Sequence, residues 1–167
     1  ARELDPELVI IGEEIRTTRG EILAAFVTRE IPRGLSPREV ILRLRDQGAF
    51  ISVSHPYDSW RDGAWQEEDL LEILPLVDAI EIFNARCLNS TANQLAQDCA
   101  SLHDLPGTAG SDAHAAFELG AACLELPAFT DADGLRSVIR QAHVVGKLSP
   151  WWVHFASRFA TLRKKVV

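Results

Sequence analysis

An α/β chain with a parallel sheet, doubly wound or barrel-like, is what this sequence predicts, and three observations predict it. Compact apolar runs alternate with segments of helical period from Glu7 onward. The run from Ala49 to Val53 has almost no polar residue, the pattern of a strand covered on both faces. No linker-like, low-complexity or repeated stretch interrupts the alternation, so residues 1–167 read as one domain.

Glu7 to Ile11 is a short β-branched run ending at Gly12, and Ile22 to Val27 is an apolar run after the Arg19-Gly20 turn; both predict strands. Ser36-Pro37-Arg38-Glu39 supplies the N-cap, first-turn proline and N3 glutamate of a capping box. Val40, Ile41 and Leu44 then form a buried stripe, and Gly48 is placed to end that helix. The strand Ala49 to Val53 runs into Ser54-His55-Pro56, and a loop with Trp60, Arg61 and Trp65 leads to a helix from about Glu67 to Leu74, stopped by Pro75. Either loop tryptophan suits an interface or a cover over its own domain. Asp78 to Phe83 predicts a strand ending in Asn84-Ala85-Arg86, and Asn89 or Ser90 caps a helix through Leu102 that buries Leu95, Cys99 and Leu102. Thr108 and Ala109 form a short strand before Gly110-Ser111-Asp112-Ala113-His114, and Ala121 to Leu126 another. Thr130 with Asp133 opens a helix to about Ala142. Trp151 to Lys165 predicts a last amphipathic helix whose Arg163, Lys164 and Lys165 suit its C-terminal dipole.

Composition narrows the function classes. Apolar residues at 47% and charged residues at 25% are those of an ordinary globular chain with enough length to bury a continuous core. No apolar run approaches the roughly 18 residues of a membrane span, and no signal-peptide pattern opens the chain, so the expected location is cytoplasmic. Lys plus Arg number 17 against 24 for Asp plus Glu, a net charge of -7 that argues against broad binding of duplex nucleic acid while leaving room for a local phosphate pocket. Cys87, Cys99 and Cys123 form no Cys-x-x-Cys pair, which argues against a disulfide framework or a cysteine zinc site and predicts core or helix-face residues. The chain has no methionine, as expected if an initiator was trimmed or if Ala1 lies inside a longer protein.

The polar residues share a phase. Glu14 follows the first predicted strand, His55 the third, Asn84 the fourth, and Asp112 with His114 the fifth. The carboxyl ends of parallel strands converge on one face, so these positions would bring carboxylates, imidazoles and an amide together. Singly, each has an ordinary reading: Glu14 a solvated turn residue, His55 a hydrogen-bonded strand end, Asn84 a turn or cap, Asp112 and His114 a loop pair. Together, the Glu/Asp/His set without thiolate suits Zn²⁺, Mn²⁺ or Fe. Arg61 and Arg86 each lie a few residues past such a strand, where a guanidinium meets either a substrate phosphate or a surface carboxylate. His103, His143 and His154 read as structural, and Trp151, Trp152 and Phe155 as core or interface.

Gly12-Glu13-Glu14-Ile15, Ser54-His55-Pro56, Glu81-Ile82-Phe83-Asn84-Ala85-Arg86 and Gly110-Ser111-Asp112-Ala113-His114 stand in the order of the PHP family, the polymerase and histidinol phosphatase superfamily of metal-dependent phosphoesterases, which the whole chain resembles. The resemblance implies a distorted (β/α)7 barrel with a cluster of two or three divalent metals, Zn, Mn or Fe. It implies that Glu14 bridges two metals, that His55 binds one of them, and that Asp112 binds the first metal and His114 the third. Glu21 stands where many members have a further histidine and is carried as a ligand; Asn84 and Arg86 would line the pocket. The family's opening His-x-His and the Asp-His motif after it have no counterpart here, so the chain reads as the C-terminal portion of such a barrel, lacking its first strands.

The activity implied is hydrolysis of a phosphate ester by metal-activated water once the N-terminal ligands are supplied, with Arg86 or Arg61 positioning the phosphate. Phosphorylated small molecules or nucleotides, including oligonucleotide 5′-phosphates, are the expected substrates. The rival expectation is a catalytically incomplete PHP-like module that binds a partner or stabilises an assembly.

Overall fold

The structure is a computed structural model, and it describes Asp5 and residues 8–61 and 64–153. Five strands form one open sheet in sequence order: β1 (Gly12–Arg16), β2 (Glu21–Ala25), β3 (Phe50–Val53), β4 (Ala79–Asn84) and β5 (Gly107–Gly110). β3, β4 and β5 are parallel, but β2 runs antiparallel to both β1 and β3. The α/β class is as expected; the first two strands are an antiparallel hairpin rather than part of a parallel array, and the sheet does not close among the described residues. Among the described residues four α-helices accompany it: α1 (Pro37–Arg45), α2 (Glu67–Ile73), α3 (Ser90–Leu102) and α4 (Ala132–Val138). A second sheet pairs β6 (Ala122–Glu125) antiparallel with β7 (His143–Gly146). β7 is not among the predicted strands, and His143 is its first residue.

Strand alternation sorts the sheet into two faces. Ile51, Val53 and Ile80 point to one side with Ile15 and Ile22, packing against Val40, Ile41 and Leu44 of α1 and Leu70 and Ile73 of α2. On the other side Phe50 and Ala79 pack under Ala132 and Leu135 of α4. The same face continues toward the carboxyl ends with Ser52, Glu81 and Thr108. The Ser52 and Thr108 hydroxyls meet at 2.8 Å, reaching from β3 to β5 over β4. In a flat sheet alternate strands stand roughly 9.5 Å apart, so this contact requires strong curvature with the polar face inside.

The amino-terminal edge is held by Asp78, which accepts from Arg45 of α1 at 2.8 Å, from Arg136 of α4 at 3.2 Å and from the Ile51 amide at 2.8 Å. One carboxylate thus joins two helices to the sheet at the end remote from the polar residues.

Local signals explain most boundaries. Ser36 caps α1 by accepting from the Glu39 amide, and a 3₁₀ turn, Leu74–Leu76, carries the chain across Pro75 after α2. Asn89 caps α3, while α4 is capped by Asp131 rather than Thr130. Three expectations need correction. The first strand is Gly12–Arg16, not Glu7 to Ile11, because pairing with β2 from the Thr17–Gly20 turn selects Glu13 to Arg16 and leaves Ile10 and Ile11 exposed. α3 buries Asn93, Ala96, Cys99 and Ala100, with Leu95 and Leu102 outward. Cys123 is an exposed β6 residue, although Cys87 and Cys99 are buried as expected. Trp151 and Trp152 are exposed, Trp152 against the Phe117 ring at 5.4 Å. The predicted last helix beyond Val153, with His154 and Phe155, falls outside the described residues.

Candidate metal centre

β3, β4 and β5 deliver residues from their carboxyl ends, and β2, running the other way, delivers one from its amino end. Register makes this explicit: Ile22 pairs with Val53, so Glu21 stands beside Ser54, whose amide donates to the Glu21 carbonyl at 3.2 Å. On β1 the pleat splits adjacent carboxylates. Glu13 accepts the Ile31 amide at 3.1 Å and secures a loop, whereas Glu14 on the opposite side meets His55.

Glu14, Glu21 and His55 place one donor atom each within 4.8 Å of one another. His55 Nε2 lies 3.3 Å from Glu14 Oε1 and 3.2 Å from Glu21 Oε2, and Ser54 Oγ donates to Glu14 at 2.9 Å. The imidazole is buried. Burial pulls its pKa down, but the two carboxylates outweigh that and raise it to about 9. Glu14 is lowered to about 2, chiefly by the His55 hydrogen bond against the opposing effect of burial. Two carboxylate oxygens and an imidazole nitrogen converging on one space form a donor set suited to Zn²⁺, Mn²⁺ or Fe.

The remaining expected residues form a connected second half. The His55 amide donates to Glu81 Oε2 at 2.8 Å, and Asn84 Nδ2 donates to the same atom at 3.2 Å and toward Asp112 Oδ2 at 3.4 Å. A bulge at Ile82 lets Glu81 and Asn84, three apart on β4, turn to one site. Asn84 is itself anchored by Asn93, which pairs with its backbone N–H and C=O at 3.0 and 3.2 Å. Arg61 Nη2 donates to Asp112 Oδ2, and Arg61 Nε to Asp58 Oδ2 at 3.0 Å. His114 Nδ1 is 3.6 Å from Asp112 Oδ1 and 2.8 Å from the Asp112 carbonyl. Asp112 and His114 are not part of the three-residue donor group. Arg86 is only 4% exposed, its Nη1 paired with buried Glu118 at 2.5 Å.

Glu81, Asp58 and Glu118 were not singled out from sequence. Glu81 had a signal, a carboxylate between Ile80 and Ile82 in a strand; burial raises its pKa to about 7. A Cβ on Gly110 would lie 2.8 Å from its Oε1, so the glycine leaves room for that carboxylate. Asp58 and Glu118 had none, since only folding shows what a loop carboxylate meets. His55 and Asp112 also adopt positive φ, 25° and 48°, where a side chain is strained.

Residues 90–144 match the family described as PHP-associated, a span that includes Asp112, His114 and Glu118. Over those residues the chain thus carries a PHP-associated segment. The chain is 39% identical over 119 residues to the uncharacterized protein MJ0417 of Methanocaldococcus jannaschii, covering 70% of the chain and 50% of that protein. It is 36% identical over 88 residues to the uncharacterized protein MJ1587 of the same organism, covering 53% and 49%. The chain thus spans about half the length of the curated relatives it matches. Among solved structures it is similar to PsfC from Pseudomonas syringae PB-5123, with a TM-score of 0.64 at 19% identity over 93% of this chain and 66% of that one. That likeness supports the fold. No helix among the described residues is long and apolar enough to cross a membrane.

Proposed function

We propose that this chain hydrolyses phosphate esters of small molecules or nucleotides, using a divalent cation held by Glu14, Glu21 and His55. The convergence of their donor atoms within 4.8 Å carries the reading. Electrostatics supports it. Glu14, Glu21, Asp58, Glu81 and Asp112 contribute carboxyl groups to one network, against Arg61 and a protonated His55, so a further cation relieves concentrated negative charge. A bound divalent cation supplies acidified water and neutralises phosphoryl oxygens.

The chain's own groups do the rest. Ser54 fixes the Glu14 carboxylate, and Trp65 fixes Glu21 by donating to its carbonyl at 3.2 Å. His55 must give up its proton to act as a donor. Arg61, whose charge acts on both Glu14 and His55, orients a phosphoryl oxygen while Arg86 stays with Glu118. The (β/α)7 barrel belongs to the same reading.

The test is metal analysis by mass spectrometry beside hydrolysis of p-nitrophenyl phosphate with Zn²⁺, Mn²⁺ or Fe²⁺. The wild-type protein should hold metal and turn over; His55→Ala should lose the metal and reduce kcat/KM by about 100-fold or more. Metal content unaltered in both His55→Ala and Glu21→Ala would sink the assignment.

A further inference from the structure

The loop after β3 carries two tryptophans, and the fold uses only one of them. Trp65 is buried and covers Gly20, and its indole donates to the Glu21 carbonyl. Trp60 is 78% exposed, and among the described residues its ring has no aromatic neighbour and its Nε1 no hydrogen-bond acceptor. Leaving an indole in water forgoes the burial that the same side chain achieves five positions later. A single exposed apolar residue needs no explanation on its own; what distinguishes this one is how firmly its backbone is held, and where.

The turns from His55 to Arg61 are closed by short-range bonds. The Asp58 amide donates to the His55 carbonyl at 3.1 Å, the Ser59 amide to the Tyr57 carbonyl at 3.0 Å and the Arg61 amide to the Asp58 carbonyl at 3.2 Å. The Trp60 amide itself donates to Asp58 Oδ1 at 3.4 Å, and the other oxygen of that buried carboxylate takes Arg61 Nε at 3.0 Å. Trp60 is thus bracketed by Asp58 and Arg61, on a loop that starts from the histidine of the donor group. Five residues span at most about 18 Å when extended, and these turns shorten the distance. An indole at this position stands within reach of the far end of a nucleotide whose phosphate lies at His55.

The loop's own cation, Arg61, faces Asp58 and Asp112. What Trp60 adds is uncharged, a broad π face and one N–H donor. That surface matches a flat heteroaromatic ring rather than a second phosphate, and every nucleobase has such a face. A neutral ring is not repelled by the carboxylates of the site, whereas a longer nucleic acid would bring further phosphates against a net charge of -7.

We propose that Trp60 is the specificity-determining residue for the base of a mononucleotide substrate, stacking on it while the phosphate lies at the donor group of Glu14, Glu21 and His55. The phosphate end of this inference rests on the phosphoesterase reading; the base end does not. The test compares adenosine 5′-monophosphate with ribose 5-phosphate, the same phosphosugar without its base. Dissociation constants are measured by titration calorimetry on the full chain after chelator treatment, so that no turnover intervenes. The wild type should bind the nucleotide about tenfold more tightly, the size of effect that one base on one aromatic ring gives. Trp60→Ala should erase that preference and leave ribose 5-phosphate affinity unaltered, and Trp60→Phe should keep part of it. Replacing an exposed side chain costs little stability, so the variants remain folded. Equal affinity of the wild type for the two compounds, a preference unaltered in Trp60→Ala, or an equal loss of both affinities in that variant overturns the proposal. If the preference depends on Trp60 yet neither compound is hydrolysed with Mn²⁺, the phosphoesterase reading fails and the base site stands. Hydrolysis of both compounds with the same kcat/KM in wild type and Trp60→Ala keeps the phosphoesterase reading and removes the base site.

Discussion

At the scale of single residues, His55 is the pivot. Its ring lies between two carboxylates and its backbone N–H is bonded to a third, so in the metal-free protein the imidazolium is favoured up to about pH 9. Because this folded-state value exceeds the ordinary 6.5, the stabilisation is fully present below pH 6.5 and is lost as pH rises through about 9. Glu81 acts in the same direction: with its pKa raised from 4.5 to about 7, it favours folding while protonated and costs stability as it ionises. Glu14 opposes them only in acid, its contribution being present above pH 4.5 and lost toward pH 2. Chelator-treated protein should therefore unfold at lower urea concentration at pH 9 than at pH 5.5. Metal affinity should move oppositely, tightening as pH rises from 6 to 9 because a cation must displace the His55 proton. Calorimetric titration at both pH values checks this, and a pH-independent affinity would exclude His55 as a ligand.

At the scale of elements, the β1–β2 hairpin is what brings two carboxylates to one histidine, and Trp65 holds it down. The indole is buried, covers Gly20 and donates to the Glu21 carbonyl. A Cβ on Gly20 would sit 2.1 Å from the ring, so Gly20→Ala should cost about 1–3 kcal/mol by overpacking and loosen metal binding through the neighbouring Glu21. Urea denaturation with parallel metal titration reads both effects; unaltered stability would mean the indole swings aside freely. Legibility varied from element to element for local reasons. α1 was readable because its start is written in consecutive residues, Ser36 to Glu39. β1 was not, because an edge strand of charged residues has no apolar signature, and its identity rests on pairing with Glu21–Ala25. The buried face of α3 was misread from leucines because Asn93 grips the β4 backbone and turns Leu95 outward.

At the scale of the whole molecule, the sheet has a structural end at Asp78 and a chemical end where His55, Asn84 and Asp112 meet. A buried ion pair lies beyond the chemical end: Arg86 and Glu118 join the chain after β4 to the 3₁₀ turn after His114, and Glu118 also accepts the His114 amide at 3.3 Å. Their side chains are 5% and 2% exposed, so leaving one charge alone is costly. Arg86→Met should destabilise by roughly 3–5 kcal/mol, whereas Arg86→Met with Glu118→Leu should recover most of that. Chemical denaturation of the single and double variants checks the pair, and equal losses in both would show that Glu118 matters for more than this charge.

By itself the sequence determined the α/β class, the strand ends where chemistry gathers, and the identity of Glu14 and His55 as candidates, because capping, apolar runs and residue type are local; Glu21 entered only through the family resemblance. Only the tertiary structure decided which candidates meet. The reversed direction of β2 puts Glu21 rather than Ala25 at the site, the Ile82 bulge turns Asn84 toward Glu81, and Arg61 reaches Asp112 across 51 positions of chain. Strand direction, register and long-range charge pairing are set by contacts between distant segments, and no stretch of residues read on its own contains them.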